Sequence, residues 1–328
     1  MPLLLSRRDV ETVLTMEDCL AAVEAAFAEL AHGRAVMPQR AAIRVEEHGG
    51  LFLGMPAHIG GETNALGVKA VTVYPDNPSR HDLPTTLGTL LLCDPATGKA
   101  IAVMDAGYLT AVRTGAASGV ATRLLAREDA STCVVFGAGV QARKQLEAVH
   151  LVRRLRRVEV LDIDPAARQR FVEEMGSGLG VEIRGTEDAE RAVGNADLVI
   201  TASSSHEPLF DGDWLRPGAH VNNIGSHSPG ARELDTKTIL RSKLVADLRE
   251  ACLAEAGDLL IPIREGAVTE DKIHASLGEI VIGEKPGRTD PEEITVFKSC
   301  GLAIQDLSTA RAVYDAARER GVGTEVEL

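Results

Sequence analysis

From residue 131 the chain repeats one rhythm, a short unbroken apolar run, a turn, and then a longer stretch with apolar residues three or four positions apart. The runs are "TCVVF", "VEVLDID", "DLVITAS", "AHVNNIG" and "SKLVADL". Runs of this length without polar alternation suit strands buried on both faces, and the helical spacing between them suits covering helices. Residues 140 to 155 predict one such helix, with Ala142, Leu146 and Val149 on one face. The alternation predicts a parallel sheet with helices on its faces.

The first 130 residues follow a different pattern. "TMEDCLAAVEAAFAELAHG" predicts a helix, with Thr15 and Asp18 as a capping-box-like pair and Gly33 at its end. "AAIRVE", "LFLGMPA" and "ALGVKAVTVY" predict strands, and "TLGTLLLCDPATGKAIAVMD" predicts a hairpin around its Asp-Pro-Ala-Thr-Gly turn. "LTAVRTGAASGVATRLLA" predicts a helix whose small residues allow close packing. The closing segment, "ITVFKSCGLAIQDLSTARAVYDAARERG", reads as a short apolar run and a long helix with no strand partner after it. Such a helix is expected to return to the N-terminal domain. The fold class expected is α/β, a Rossmann doubly wound sheet over residues 119–299 plus a discontinuous α+β domain from residues 1–118 and 300–328.

Composition narrows the function classes. A formal net charge of −13 over 328 residues argues against nucleic acid or an anionic membrane surface as a partner. Aromatic residues are 3% of the chain, so Val, Leu, Ile and Ala must carry most of the burial. No apolar run is long enough to span a bilayer, and the three-Leu patch of "MPLLLSRRDVE" is too short for a signal-peptide core. The five cysteines, Cys19, Cys93, Cys133, Cys252 and Cys300, are scattered and form no C-x-x-C pair. A reduced cytoplasmic protein without a metal site is expected.

"CVVFGAGVQA" carries the first chemistry. Gly137, Gly139 and Ala142 form G-x-G-x-x-A between a strand and a helix, and Asp162 follows Gly137 by about 25 residues, at the end of the next strand. Glycines let backbone N–H groups approach a pyrophosphate, the helix N-terminus adds favourable potential, and the acid suits the ribose hydroxyls. The pattern predicts a dinucleotide site. A carboxylate at Asp162 repels a 2′-phosphate, and Ile163 and Asp164 supply no positive charge, so NAD(H) is expected over NADP(H).

Outside that half the residues alone leave alternatives open. Lys69 shares a strand face with Val71 and Val73, and is at an edge, snorkelling outward, or poised in a cleft. Arg113 falls near a helix start, where a cation opposes the helix dipole unless an anion joins it. A substrate carboxylate or a cofactor phosphate would be such an anion; a solvated arginine is the other reading. Arg40 competes with nearby Arg44. His227 follows a strand of the nucleotide half, where it would be an acid, a base or loop filler. The Ser203 loop, "TASSSHEP", should line the cofactor.

Together, "MPQR", "GVKAVTVYPDNP", "LPTTLGTLLLCDPATGKAIAVMD", "YLTAVRTGAAS", "VVFGAGVQA", "NNIGSHSPGARELD" and "EITVFKSCGLAIQD" resemble the ornithine cyclodeaminase/mu-crystallin family over nearly the whole chain. The resemblance implies an N-terminal substrate and dimerisation domain completed by the C-terminal helix, a Rossmann domain between, and a homodimer. It implies that Arg40, Lys69 and Arg113 grip a substrate carboxylate and that Cys300 lines the substrate pocket. Thr85, Arg113, Val140, Gln141, Asp162, Ser203, Ile224, Ser226 and Ser299 are implied as cofactor contacts beside Gly137 and Gly139.

Two departures bear on the reaction. Where the family's ornithine cyclodeaminases carry a glutamate and an aspartate, this chain resembles them in position but has Leu53 and His227. Ring closure on ornithine needs a group to hold the distal ammonium, which leucine cannot do. The expectation is an oxidoreductase running only the hydride step at a C–N bond next to a carboxylate. It would reduce a cyclic imino acid such as pyrroline-2-carboxylate, or oxidatively deaminate a small amino acid such as alanine. Lys69 is the first candidate proton donor and His227 the second. Ornithine cyclodeamination and non-catalytic cofactor binding are the alternatives.

Overall fold

The run Thr132–Phe136 is apolar at successive positions because both of its faces are covered. Cys133 and Val135 join one core, with Ala142, Leu146, Val149 and Phe171, while Val134 and Phe136 join the other, with Val199, Val221, Leu244 and Val296. The same logic builds the whole sheet, which is parallel throughout. Its strand order is Glu182–Gly185, Arg157–Leu161, Thr132–Phe136, Leu198–Thr201, His220–Asn223, Ile294–Lys298, Ser242–Ala246 and Ile273–Ser276. Chain progression reverses between Thr132–Phe136 and Leu198–Thr201, the switch point outside whose carboxyl ends ligands bind in such sheets.

The computed structural model describes residues 1–327. They divide into two units: residues 1–113 with 302 onward, and residues 114–301. The first boundary falls inside the helix Gly107–Leu125. Within the second unit that helix presses against Val140–Val152. A methyl group on Gly115 would lie 2.4 Å from the Lys144 carbonyl oxygen, and Gln145 Nε2 donates to the Thr114 carbonyl at 3.0 Å. Gly115 of "RTGAAS" therefore serves backbone approach.

Ile294–Lys298 is the main departure from the sequence reading. It is no mere lead-in to the last helix but a buried strand between His220–Asn223 and Ser242–Ala246. Sequence order hides this, because the strand enters the sheet after its two neighbours are already made.

In the first unit the sheet order is Thr324–Glu325, Leu3–Leu5, Ala100–Asp105, Thr86–Cys93, Ala65–Val73, Gly50–Ile59 and Ala35–Val36, with Ala41–Val45 also paired to Gly50–Ile59. The three-Leu patch is thus a strand, parallel to Ala100–Asp105. A strand does follow the last helix: Thr324–Glu325 pairs antiparallel with Leu3–Leu5. Thr15 caps Met16–Ala31, its hydroxyl accepting from the Asp18 N–H at 3.1 Å. The helix Ala303–Arg320 packs on Met16–Ala31 and across Gly50–Ile59, Ala65–Val73 and Thr86–Cys93. The covered face of the sheet carries Met55, Lys69, Leu90 and Met104; the other leaves Leu4, Ile43 and Leu87 exposed. Among the described residues no helix is long and apolar enough to cross a membrane.

Candidate functional site

In the first unit a buried charge cluster forms where the last helix crosses the sheet. Lys69 sits in a strand paired on both sides and is 2% exposed, so it is neither an edge residue nor a snorkelling one. Its Nζ donates to Asp306 Oδ1 at 2.8 Å, lies 2.8 Å from Asp306 Oδ2, and reaches Thr110 Oγ1 at 3.5 Å. Arg113 lies in the second turn of Gly107–Leu125 rather than at its start, and is buried. Its Nε donates to Asp306 Oδ1 at 2.8 Å and its Nη1 to Gln305 Oε1 at 2.6 Å. The solvated reading of Arg113 is therefore excluded, and the anion that joins it belongs to the protein.

Two buried cations thus share one fully buried carboxylate, leaving an excess of positive charge. Burial lowers the Lys69 pKa to about 8, Arg113 and Arg40 add to the fall, and Asp306 opposes it. Arg40 is half-buried and within electrostatic reach of Lys69. Leu53 pairs with Val71 beside the Met55–Lys69 pair, on the same face and half-buried. Thr85 is exposed and its carbonyl accepts from the Tyr74 N–H at 2.8 Å.

In the second unit the glycine turn has the shape a dinucleotide needs. Gly137 has φ 101°, and a Cβ there would stand 2.5 Å from the Ala202 carbonyl oxygen. Gly139 is the N-cap of Val140–Val152, with no side chain capping it and open space where a Cβ would project. Uncapped N–H groups at the start of a helix of 13 residues are an anion site left open. Asp162 directly follows Arg157–Leu161; its Oδ2 accepts from the Ala138 N–H at 2.7 Å and its Oδ1 from the Asp164 N–H at 2.8 Å. The carboxylate is thereby tied to the turn. Val140 is exposed and Gln141 half-buried in the first helical turn.

Ser203, Ile224, Ser226, His227, Ser299 and Cys300 all follow the carboxyl ends of strands in the same sheet. Ser203 donates its N–H and its hydroxyl to Glu233 Oε1, at 2.8 and 2.7 Å. The other oxygen, Glu233 Oε2, accepts from Asn223 Nδ2 at 3.1 Å and the Gly225 N–H at 2.8 Å. Burial pushes the Glu233 carboxyl up against the pull of Ser203 and Lys298. Ser299 donates its hydroxyl to Asp247 Oδ2 at 2.8 Å, and the N–H groups of Cys300 and Gly301 join it at 2.8 Å. Ile224 and Ser226 are buried, Cys300 is half-buried, and His227 is exposed.

Sequence reasoning gave no role to Gln305, Asp306, Glu233 or Asp247. The signal was an acid or amide inside a small, apolar stretch, as in "GLAIQDLSTA". Such residues are rarely buried unless paired.

A model described as the ornithine cyclodeaminase/mu-crystallin family matches residues 1–321, and the chain belongs to that family. The chain is similar to the solved structure of Thermococcus litoralis Δ1-pyrroline-2-carboxylate reductase in complex with NADH and L-proline, with 48% identity, a TM-score of 0.95, and 99% of this chain and 100% of that one covered. It is 36% identical to an alanine dehydrogenase of Archaeoglobus fulgidus, covering 99% of this chain and 98% of that protein. It is 37% identical to a Δ1-pyrroline-2-carboxylate reductase of Bacillus cereus, covering 99% and 100%.

Proposed function

We infer that this chain is an NAD(H)-dependent oxidoreductase acting on a C–N bond next to a carboxylate, with a cyclic imino acid of the pyrroline-2-carboxylate class as its substrate. The observation that carries the reading is the buried Lys69–Asp306–Arg113 cluster, which has one more positive charge than negative. Its occupant should be an anion small enough to sit beside apolar sheet residues.

Lys69, Arg113 and Arg40 hold the substrate carboxylate. Charge-assisted contacts of this kind fix orientation as well as affinity. The Lys69 ammonium gives its proton to the imine nitrogen, and its lowered pKa suits a group that must donate near neutral pH. His227 is the second candidate for that proton. When bound, NADH supplies the hydride to the imine carbon. The residues of the second unit fit that group: Gly137, Gly139 and Val140 would present backbone to the pyrophosphate, and Asp162 would hold the ribose hydroxyls. Gln141, Ser203, Ile224, Ser226 and Ser299 of the same unit would complete its contacts there. NADH should bind more tightly than NADPH. Two arginines do lie near the turn, but Arg143 pairs with Glu174 and Arg168 with Glu187.

The first unit is the substrate and dimerisation domain and the second the dinucleotide domain. Exposed Leu4, Ile43 and Leu87 on the uncovered sheet face suit a second copy of the chain. Five scattered cysteines, none bonded to another, suit a reducing cytoplasm.

A panel assay tests the reading: NADH oxidation with cyclic imines, and with small 2-oxo acids plus ammonia. Turnover of the 2-oxo acids alone would move the assignment to an amino-acid dehydrogenase. NADH binding with no turnover anywhere would refute it.

A further inference from the structure

We propose that Asp306 is the positioning residue of the carboxylate site, holding Lys69 and Arg113 in fixed register with one positive charge unbalanced, and that neighbouring Gln305 gives the bound acid a further N–H donor. This rests on the reading that Lys69 and Arg113 hold the substrate carboxylate.

The geometry is specific. Asp306 Oδ1 accepts from both Lys69 Nζ and Arg113 Nε at 2.8 Å, so one oxygen sets the separation of two cations from different elements. Gln305 Oε1 accepts from Arg113 Nη1 at 2.6 Å and the Leu302 N–H at 3.3 Å. The guanidinium is therefore gripped at two points from the start of one helix. Without Asp306, two neighbouring buried cations would repel and the lysine would shed its proton. With a second carboxylate the cluster would be neutral and have no preference for an anion.

Gln305 supplies a second observation. Its oxygen is identified by two donors, so its Nε2 must be the donor end. That nitrogen is buried and meets no acceptor among the described residues. A planar amide places it beside Oε1, and so next to the Arg113 guanidinium. A buried donor with no acceptor is costly, and a ligand carboxylate oxygen would remove the cost.

The groups around Lys69 show how the proton is kept. Arg113 and Arg40 disfavour the ammonium, Thr110 is neutral, and Met55 and Leu90 pair with it across the sheet. The Cys19 thiol from Met16–Ala31 is pushed up to about 12 by burial, and is neutral. Of these groups Asp306 alone favours the charged amine.

The test uses full-length protein: wild type, Asp306→Asn and Gln305→Ala. Readouts are the pH profile of NADH-dependent reduction of Δ1-pyrroline-2-carboxylate, calorimetric binding of pyrrole-2-carboxylate, and NADH binding. Asp306→Asn should cut kcat about 10- to 100-fold, shift the basic limb of kcat/KM to lower pH, and lose pyrrole-2-carboxylate at alkaline pH. Gln305→Ala should raise KM about 2- to 10-fold with the pH profile unmoved. NADH affinity should hold in both. A wild-type pH profile and kcat in folded Asp306→Asn would overturn the positioning role, and an unchanged KM in Gln305→Ala would overturn the donor. Should Asp306→Asn fail to fold, Asp306→Glu keeps the charge but moves it by one methylene. Reduced kcat with a retained basic limb is then expected, and full wild-type kcat would refute the proposal. If wild type binds pyrrole-2-carboxylate with this dependence but reduces no imine, the assigned reaction fails and the inference stands. If it binds no carboxylate, both fall.

Discussion

Lys69 and Asp306 are separated by 237 positions in the chain, yet the lysine Nζ lies 2.8 Å from the carboxylate, with both side chains inaccessible to solvent. The pair joins a central strand to the C-terminal helix. Five expectations follow from the geometry.

Lys69→Met keeps the length of the side chain and removes its charge and proton. Reductase kcat should fall about 100- to 10,000-fold, the range of a lost general acid, while Asp306 keeps its pair with Arg113. Steady-state rates and thermal melting separate catalysis from folding. A variant within tenfold of wild type would move the proton to another group, His227 first.

The same residue should set the pH dependence. With its pKa lowered to about 8, Lys69 is protonated below that pH and neutral above it. Imine reduction consumes the protonated form, so kcat/KM should be level below about pH 8 and decline above. Amine oxidation needs the neutral form and should rise through the same range. Parallel profiles in the two directions would exclude Lys69 as the titrating group.

Arg113→Ala should raise KM and lower kcat together, since a misplaced carboxylate also misplaces the reacting carbon. A lost charge-assisted contact is worth about 1.5–3 kcal/mol. The folded variant would also leave Gln305 Oε1 without its arginine partner. Unchanged kinetics would remove Arg113 from the substrate site.

Asp162 and Gly137 test the cofactor turn. NADH should bind more tightly than NADPH in a fluorescence titration, and Asp162→Ala should narrow the gap while costing affinity overall, because it also frees the Ala138 N–H. Gly137→Ala forces a side chain onto φ 101° and against the Ala202 carbonyl, 2.5 Å from the new Cβ. Left-handed strain alone is about 1–2 kcal/mol, so a lower melting temperature and weakened NADH binding are expected. Equal binding of both cofactors by wild type would dismiss Asp162 as the ribose ligand.

Leu53 offers a test between reduction and ring closure. It lies beside the Lys69 pair on the covered sheet face and offers no partner to a distal ammonium. A desolvated cation there would be poorly paired and costly. Incubation of ornithine with catalytic NAD should release almost no ammonia. Efficient proline formation without net NADH would restore cyclodeamination as the activity.

Local patterns in the sequence were enough for the features whose physics is local. Gly137 announces a turn because other residues are sterically excluded there, Thr15 announces a helix start through its own hydroxyl, and "TCVVF" announces two-sided burial through five consecutive side chains. Carboxylates and strands that depend on distant partners left no such mark. Ile294–Lys298 is a strand only because His220–Asn223 and Ser242–Ala246 leave a place between them. Leu3–Leu5 and Thr324–Glu325 are too short to hold strand form except against each other and Ala100–Asp105. Lys69 and Arg113 looked equally fit for solvent until the helix Ala303–Arg320 brought Asp306 over them. Burial of a charge is a property of what covers it, and what covers these two cations is supplied by residues at the far end of the chain.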